Sequence, residues 1–139
     1  MRPPIIVEVS RPAHVPADDP PKIAIVVERD PDLRNTLTEY LLSQSHQVLA
    51  LSTMPHPDEI QRLQPDLLVL DLHCEGEPVP VEAVRQYRAS LVDASIVAMS
   101  ADSHLINAYA DEIVTLVSGV LIKPFDLDYF DDIAGLNLP

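Results

Sequence analysis

"PDLLVLDLHCEGE", residues 65–77, decides how the rest of the chain is read. Leu67, Leu68, Val69 and Leu70 are apolar without alternation, the pattern of a strand covered on both faces. A carboxylate, Asp71, follows with no spacer. A buried strand has no use for a charge at its tip unless that tip opens onto water or a site.

Working outward, the same strand pattern recurs and helical patterns fill the gaps. "KIAIVVE" (22–28), "QVLALS" (47–52), "ASIVAMS" (94–100) and "VSGVLIK" (117–123) read as further strands, rich in β-branched residues. After the first comes "DPDLRNTLTEYLLSQ". Asp30 there suits an N-cap and Pro31 the first helical position, while Leu33, Leu37, Tyr40 and Leu41 share one face. Helices are also predicted at 56–64, 79–90, 102–114 and 126–135. The inner face of the third of these four is read as Leu105, Ala108, Tyr109 and Ile113, and Gly135 ends the last. Five β-then-α units with short connections imply a doubly wound α/β fold, a parallel sheet with helices on both faces.

Composition bounds the function. The chain has 139 residues, 47% of them hydrophobic, which suits one domain with a real core. Only 4% are aromatic, so aliphatic side chains must build it. A net charge of −13 argues against a nucleic-acid or anionic-membrane surface and fits basic or mixed-charge protein partners. The single cysteine, Cys74, excludes an internal disulfide and fits a reducing cytoplasm. No apolar run is long enough for a bilayer span or for the core of a signal peptide. Residues 1–21 hold six of the 14 prolines and are read as an irregular extension. "PIIVEV" within it could add a short edge strand. Residues 22–135 form the domain, 136–139 a tail, and no output domain is expected after Gly135.

In a parallel sheet, ligands lie beyond the carboxyl ends of the strands. Those ends carry Glu28, Arg29 and Asp30 after the first strand, Asp71 after the third, Ser100 after the fourth and Lys123 after the fifth. Acids, a hydroxyl and an ammonium at one rim make a chemical set.

On these residues the chain resembles a response-regulator receiver domain: "VVERD", "LLVLD", "AMSA" and "KPF" stand in the family's order over residues 22 to 135. The resemblance implies five parallel strands in the flavodoxin-like order 2-1-3-4-5. It implies a phosphoacceptor at Asp71, receiving its group from a sensor histidine kinase or a phosphotransfer protein. Lys123 would pair with that carboxylate and then with a phosphoryl oxygen, and Ser100 would donate to another. Lys123 is expected within pairing distance of Asp71, both ending neighbouring strands. Mg²⁺ would be held by Glu28, Asp71 and the backbone carbonyl of His73. The module would signal in the cytoplasm through protein contacts with a downstream target, using the helix at 102–114, the fifth strand and the last helix. A homodimer is left open. Apart from its own phosphorylation and dephosphorylation, no enzymatic turnover is implied.

The pattern also departs from the family. Arg29 stands where a second acid is usual, Val120 where an aromatic switch residue is usual, and the loop after Asp71 lacks the family's usual residues. These departures favour an alternative: an interaction module with the fold but no phosphorylation. An Asp-nucleophile phosphatase would need an acid where His73 stands, and a flavin carrier would need a Gly- and hydroxyl-rich loop where "ERDPD" stands. The His73, Cys74, Glu75 and Glu77 loop has no second ligand cluster at zinc spacing elsewhere. Asp126, Asp128, Asp131 and Asp132 are read as the solvated face and first turn of the last helix, not a calcium loop.

Overall fold

Strands form where leucine and β-branched residues run together, and helices begin where a capping residue precedes proline. The computed structural model describes residues 8–10, 22–74, 77–101 and 112–135. In chain order these give β1 (Glu8–Ser10), β2 (Lys22–Val27), α1 (Pro31–Ser43), β3 (His46–Leu51), α2 (Pro57–Leu63), β4 (Leu67–Asp71), β5 (His73–Cys74), β6 (Glu77–Pro78), α3 (Val81–Ser90) and β7 (Ser95–Ser100). A helical stretch over 112–116, here α4, then leads to β8 (Gly119–Ile122) and α5 (Leu127–Ala134). Residues 102–111, most of the helix predicted at 102–114, lie outside the described residues, as does the tail at 136–139.

The main sheet runs β1-β3-β2-β4-β7-β8. Its last five members are all parallel, in the order expected for a doubly wound sheet. β4 lies at the centre, paired with β2 through Val27↔Leu70 and with β7 through Asp71↔Met99. All five of its residues are buried, as the unbroken apolar run requires.

Two expectations are corrected here. The extension is not irregular throughout: Glu8–Ser10 pairs antiparallel with β3, Val9 opposite Leu49, and adds a sixth strand. The added strand gives the outer backbone groups of β3 partners that an open edge would lack. The loop after Asp71 is also not simply irregular, because β5 and β6 form a two-stranded antiparallel ladder. Leu72 and Val79 are buried on either side of it, and the Val79 amide donates to the Leu72 carbonyl at 2.7 Å.

Alternate residues of each strand feed two cores. Ala24, Val26, Val69 and Val97 face α1 and α5, meeting Leu37, Leu41, Phe130 and Ala134. Ile25, Val27, Leu70 and Ile96 face α2, α3 and α4, meeting Ile60, Val84, Tyr87 and Ile113. The predicted inner residues of α1 and the single described inner residue of α4, Ile113, fall where the periodicity put them. Gly135 closes α5 in the left-handed region at φ 72°, where a side chain would be strained. Gly119 is needed for a different reason: a Cβ there would collide with the Ile133 side chain of α5. Among the described residues, no helix is long and apolar enough to cross a membrane.

Candidate functional site

The carboxyl ends of β2, β4, β7 and β8 bring together the residues that the sequence placed at strand ends. Glu28 follows β2 and keeps the ladder going for one more step, its amide donating to the Leu51 carbonyl at 2.9 Å. It is 1% exposed and Asp71 5%, so both carboxylates sit in a largely dry rim. A buried carboxylate without a partner is costly, and the needed cation comes from the far end of the chain. Lys123 Nζ lies 2.7 Å from Glu28 Oε2 and 3.4 Å from Asp71 Oδ2.

The pairing of Lys123 with Asp71 therefore holds, but the reason given for it does not. β7 lies between β4 and β8, so the two residues do not end neighbouring strands. The four-carbon lysine stem reaches across the intervening strand, and its shorter contact is with Glu28.

The remaining oxygens of both carboxylates are also engaged. Asp71 Oδ1 accepts the His73 amide at 3.1 Å, and Glu28 Oε1 accepts the Asp30 amide at 3.0 Å. Asp30 itself caps α1, with Oδ1 accepting the Asp32 amide at 3.3 Å. Ser100 is fully buried at the end of β7, and its carbonyl accepts the Lys123 amide at 2.8 Å. Val120 is half-buried and packs against the α2–α3–α4 side of the core.

One functional position escaped the sequence reading. Arg34 Nη1 donates to the carbonyl of Glu28 at 2.9 Å and to that of Arg29 at 3.2 Å, clamping the turn between β2 and α1. A signal was present: a cation near the start of a helix opposes the helix dipole, so its place there needs another reason.

The turn, Asp71 and His73 line an open depression of about 350 Å³, together with Pro31. Arg29 stands on its rim, exposed, and among the described residues its side chain makes no ion pair. Of the expected metal donors, Glu28, Asp71 and His73 do converge, and carboxylate and carbonyl oxygens are what a hard cation needs. The charge balance does not suit one. Lys123 already pairs with both Glu28 and Asp71, Arg29 adds a second cation to the lining, and Asp30 is spent on its helix. Among the described residues no group of three His, Cys, Asp or Glu side chains could hold a metal ion. A resident dication does not fit this donor set.

The side chains of Cys74 and Glu77, and the whole of Glu75, lie outside the described residues. The reading of Asp131 as solvated is corrected: it is 3% exposed and accepts the Tyr40 hydroxyl at 2.7 Å. It lies on the inner side of α5 beside Phe130, whereas Asp128 and Asp132 are exposed and Asp126 caps the helix.

No protein-family model and no curated protein sequence matches the chain. Solved structures do match. The non-phosphorylated HemR receiver domain from Leptospira biflexa is 21% identical, with 85% of this chain and 96% of that one covered and a TM-score of 0.67. The response regulator protein TrrA from Thermotoga maritima, solved in complex with Mg²⁺ and BeF, is 23% identical over 83% of this chain and 98% of its own, at a TM-score of 0.62. A response regulator protein from Burkholderia pseudomallei, solved with a phosphorylated aspartic acid, calcium ion and citrate, is 16% identical at a TM-score of 0.67. The match covers 81% of this chain and 66% of that longer one. The fold is that of response-regulator receiver domains.

Proposed function

We propose that the chain is a phosphoacceptor module of a two-component phosphorelay, with residues 22–135 as the receiver unit. Asp71 takes a phosphoryl group from a sensor histidine kinase or phosphotransfer protein and passes the signal on through protein contacts. The observation that carries this reading is the placement of Lys123 between Glu28 and Asp71, at the edge of an open depression. The ammonium pairs with the Asp71 carboxylate, and the depression that Asp71 lines gives a phosphoryl donor room to approach. When the phosphoryl group arrives, Lys123 can follow one of its oxygens, and the Ser100 hydroxyl, at the end of the adjacent β7, can donate to another. Catalysis at such a site is positioning and charge neutralisation, so no separate substrate is turned over. The likeness to receiver domains supports a signalling role. A net charge of −13 supports protein partners over nucleic acid, and a cytoplasmic setting fits both.

A second reading has its own support. Arg29 in place of an acid and Val120 in place of an aromatic ring are what a phosphorylation-independent interaction module would carry. Treatment with acetyl phosphate, read by intact mass, separates the two. The phosphoacceptor reading expects a gain of one phosphoryl group that disappears in Asp71→Asn, a nearly isosteric change. No gain with acetyl phosphate, or with a phosphohistidine protein as donor, favours the interaction module. A gain that survives Asp71→Asn removes Asp71 from the role.

A further inference from the structure

We infer that Arg29 is a built-in counter-charge for the incoming phosphoryl group, so that Asp71 is phosphorylated without a divalent metal. This rests on the phosphoacceptor reading and concerns what stabilises the transferred group.

The inference begins from the charges around the depression. Two buried carboxylates and one half-buried ammonium leave one negative charge, and a phosphoryl donor brings more. Some cation must offset them. Lys123 is already committed, 2.7 Å from Glu28. The cation left uncommitted in the lining is Arg29, exposed and without an ion pair among the described residues.

Its backbone is held in place. Arg34 donates to the carbonyls of Glu28 and Arg29, on either side of the Arg29 Cα, and Glu28 Oε1 accepts the amide of Asp30. The guanidinium therefore swings from a fixed root beside Asp71. Its planar fork matches two phosphoryl oxygens at once, whereas a hard dication finds an added positive charge where it needs an oxygen ligand.

The step balances without a co-reactant beyond the donor. With acetyl phosphate, an Asp71 carboxylate oxygen bonds to phosphorus while the bond from phosphorus to the acetate oxygen breaks. Acetate leaves with the bonding pair. No proton is taken up and no redox change occurs. Arg29 and Lys123 share the charge on the transferred oxygens throughout.

The test labels wild type, Arg29→Gln, Arg29→Asp and Asp71→Asn with acetyl phosphate, in EDTA and in excess Mg²⁺, and follows intact mass with time. Because Arg29 is exposed, its variants should fold, and circular dichroism checks that they do. Wild type is expected to label at similar rates in both buffers. Arg29→Gln should slow at least about tenfold in EDTA, and Arg29→Asp should label only with Mg²⁺. A magnesium titration should show weak binding to wild type and at least about tenfold tighter binding to Arg29→Asp. Wild-type labelling that needs Mg²⁺, undiminished labelling of Arg29→Gln in EDTA, or equal tight Mg²⁺ binding by both forms overturns the inference. In each of those cases Asp71 can still be the acceptor. If Arg29→Asp labels with Mg²⁺ while wild type labels in neither buffer, the site is competent and the role of Arg29 is wrong. If no form labels under any condition, the phosphoacceptor reading falls as well.

Discussion

At the carboxyl rim of the sheet, Glu28 and Asp71 are buried against the ammonium of Lys123. Where α5 meets the C-terminal part of α1, Asp131 is equally buried, but its partner is the neutral hydroxyl of Tyr40. Among the described residues no cation pairs with Asp131. Both arrangements join segments far apart in sequence, 95 residues between Lys123 and Glu28 and 91 between Asp131 and Tyr40. The carboxylates of the first line an open depression. The difference separates a site from a fastening. A mobile charge beside an opening can follow a new ligand, while a phenol enclosed between two helices can only hold them together.

The comparison is tested most severely at Lys123. Lys123→Met takes the ammonium from two buried carboxylates, and breaking a buried pair from one side costs about 3 kcal/mol. Urea unfolding should show that loss, and adding Glu28→Gln should return much of it by removing the stranded charge. A double variant no more stable than Lys123→Met would mean that the charge at Glu28 is not what the lysine serves.

Tyr40→Phe should cost less, about 2 kcal/mol, because it strands one acceptor but leaves the ring packed against Phe130. Burial first, then the hydrogen bond and charge of Asp131, pushes the Tyr40 hydroxyl up to about 12 from 10.0. With the folded value above the unfolded one, this stabilisation is complete below pH 10 and is lost as pH rises from 10 towards 12. Thermal melts should show that alkaline fall in wild type and a weaker one in Tyr40→Phe. Matching alkaline limbs would sink the fastening role.

Arg34→Met sets two effects against each other. It loses charged hydrogen bonds to two carbonyls, yet removes a cation from the start of α1, which returns up to about 1 kcal/mol. A net loss of about 1 kcal/mol is expected, with a larger proportional effect on labelling of Asp71 because the turn that carries Glu28 and Arg29 loosens. Unchanged labelling kinetics would place the clamp outside the site.

The smallest effect is expected at a residue that touches neither Asp71 nor Asp131 in any hydrogen bond or ion pair among the described residues. His46 is buried at the start of β3, its Nδ1 3.0 Å from the Gln44 carbonyl. Burial, helped by Lys22, holds its pKa below 6.5, against the raising effect of the Gln44 hydrogen bond and Asp66. Here the unfolded state binds the proton more readily, so stability is intact above pH 6.5 and declines as pH falls below it. His46→Phe should flatten that acid limb in a melt series while leaving Asp71 labelling alone. An acid limb of the same slope in the variant would assign it to other groups.

The alternation of apolar runs and helical periods determined the five parallel strands and which residues end them, because side-chain period and connection handedness are local rules. The same logic found Glu28, Asp71, Ser100 and Lys123 from strand polarity alone. It also found the Asp30 cap and the Gly135 stop, whose partners lie within a few residues. What the tertiary structure decided was the choice among similar residues. Four aspartates crowd the start of α5, and only the packing of α1 against α5 selects Asp131 for burial against Tyr40. Lys123 could answer either carboxylate by sequence, and only the packed rim makes its shorter contact the one with Glu28, although β2 lies farther from β8 than β4 does. Arg34 looked like one more surface cation until the turn folded back over it, and Glu8–Ser10 became a strand only because β3 offered it an edge. Burial and partner choice depend on groups that meet only when distant segments pack, so no local pattern carries them.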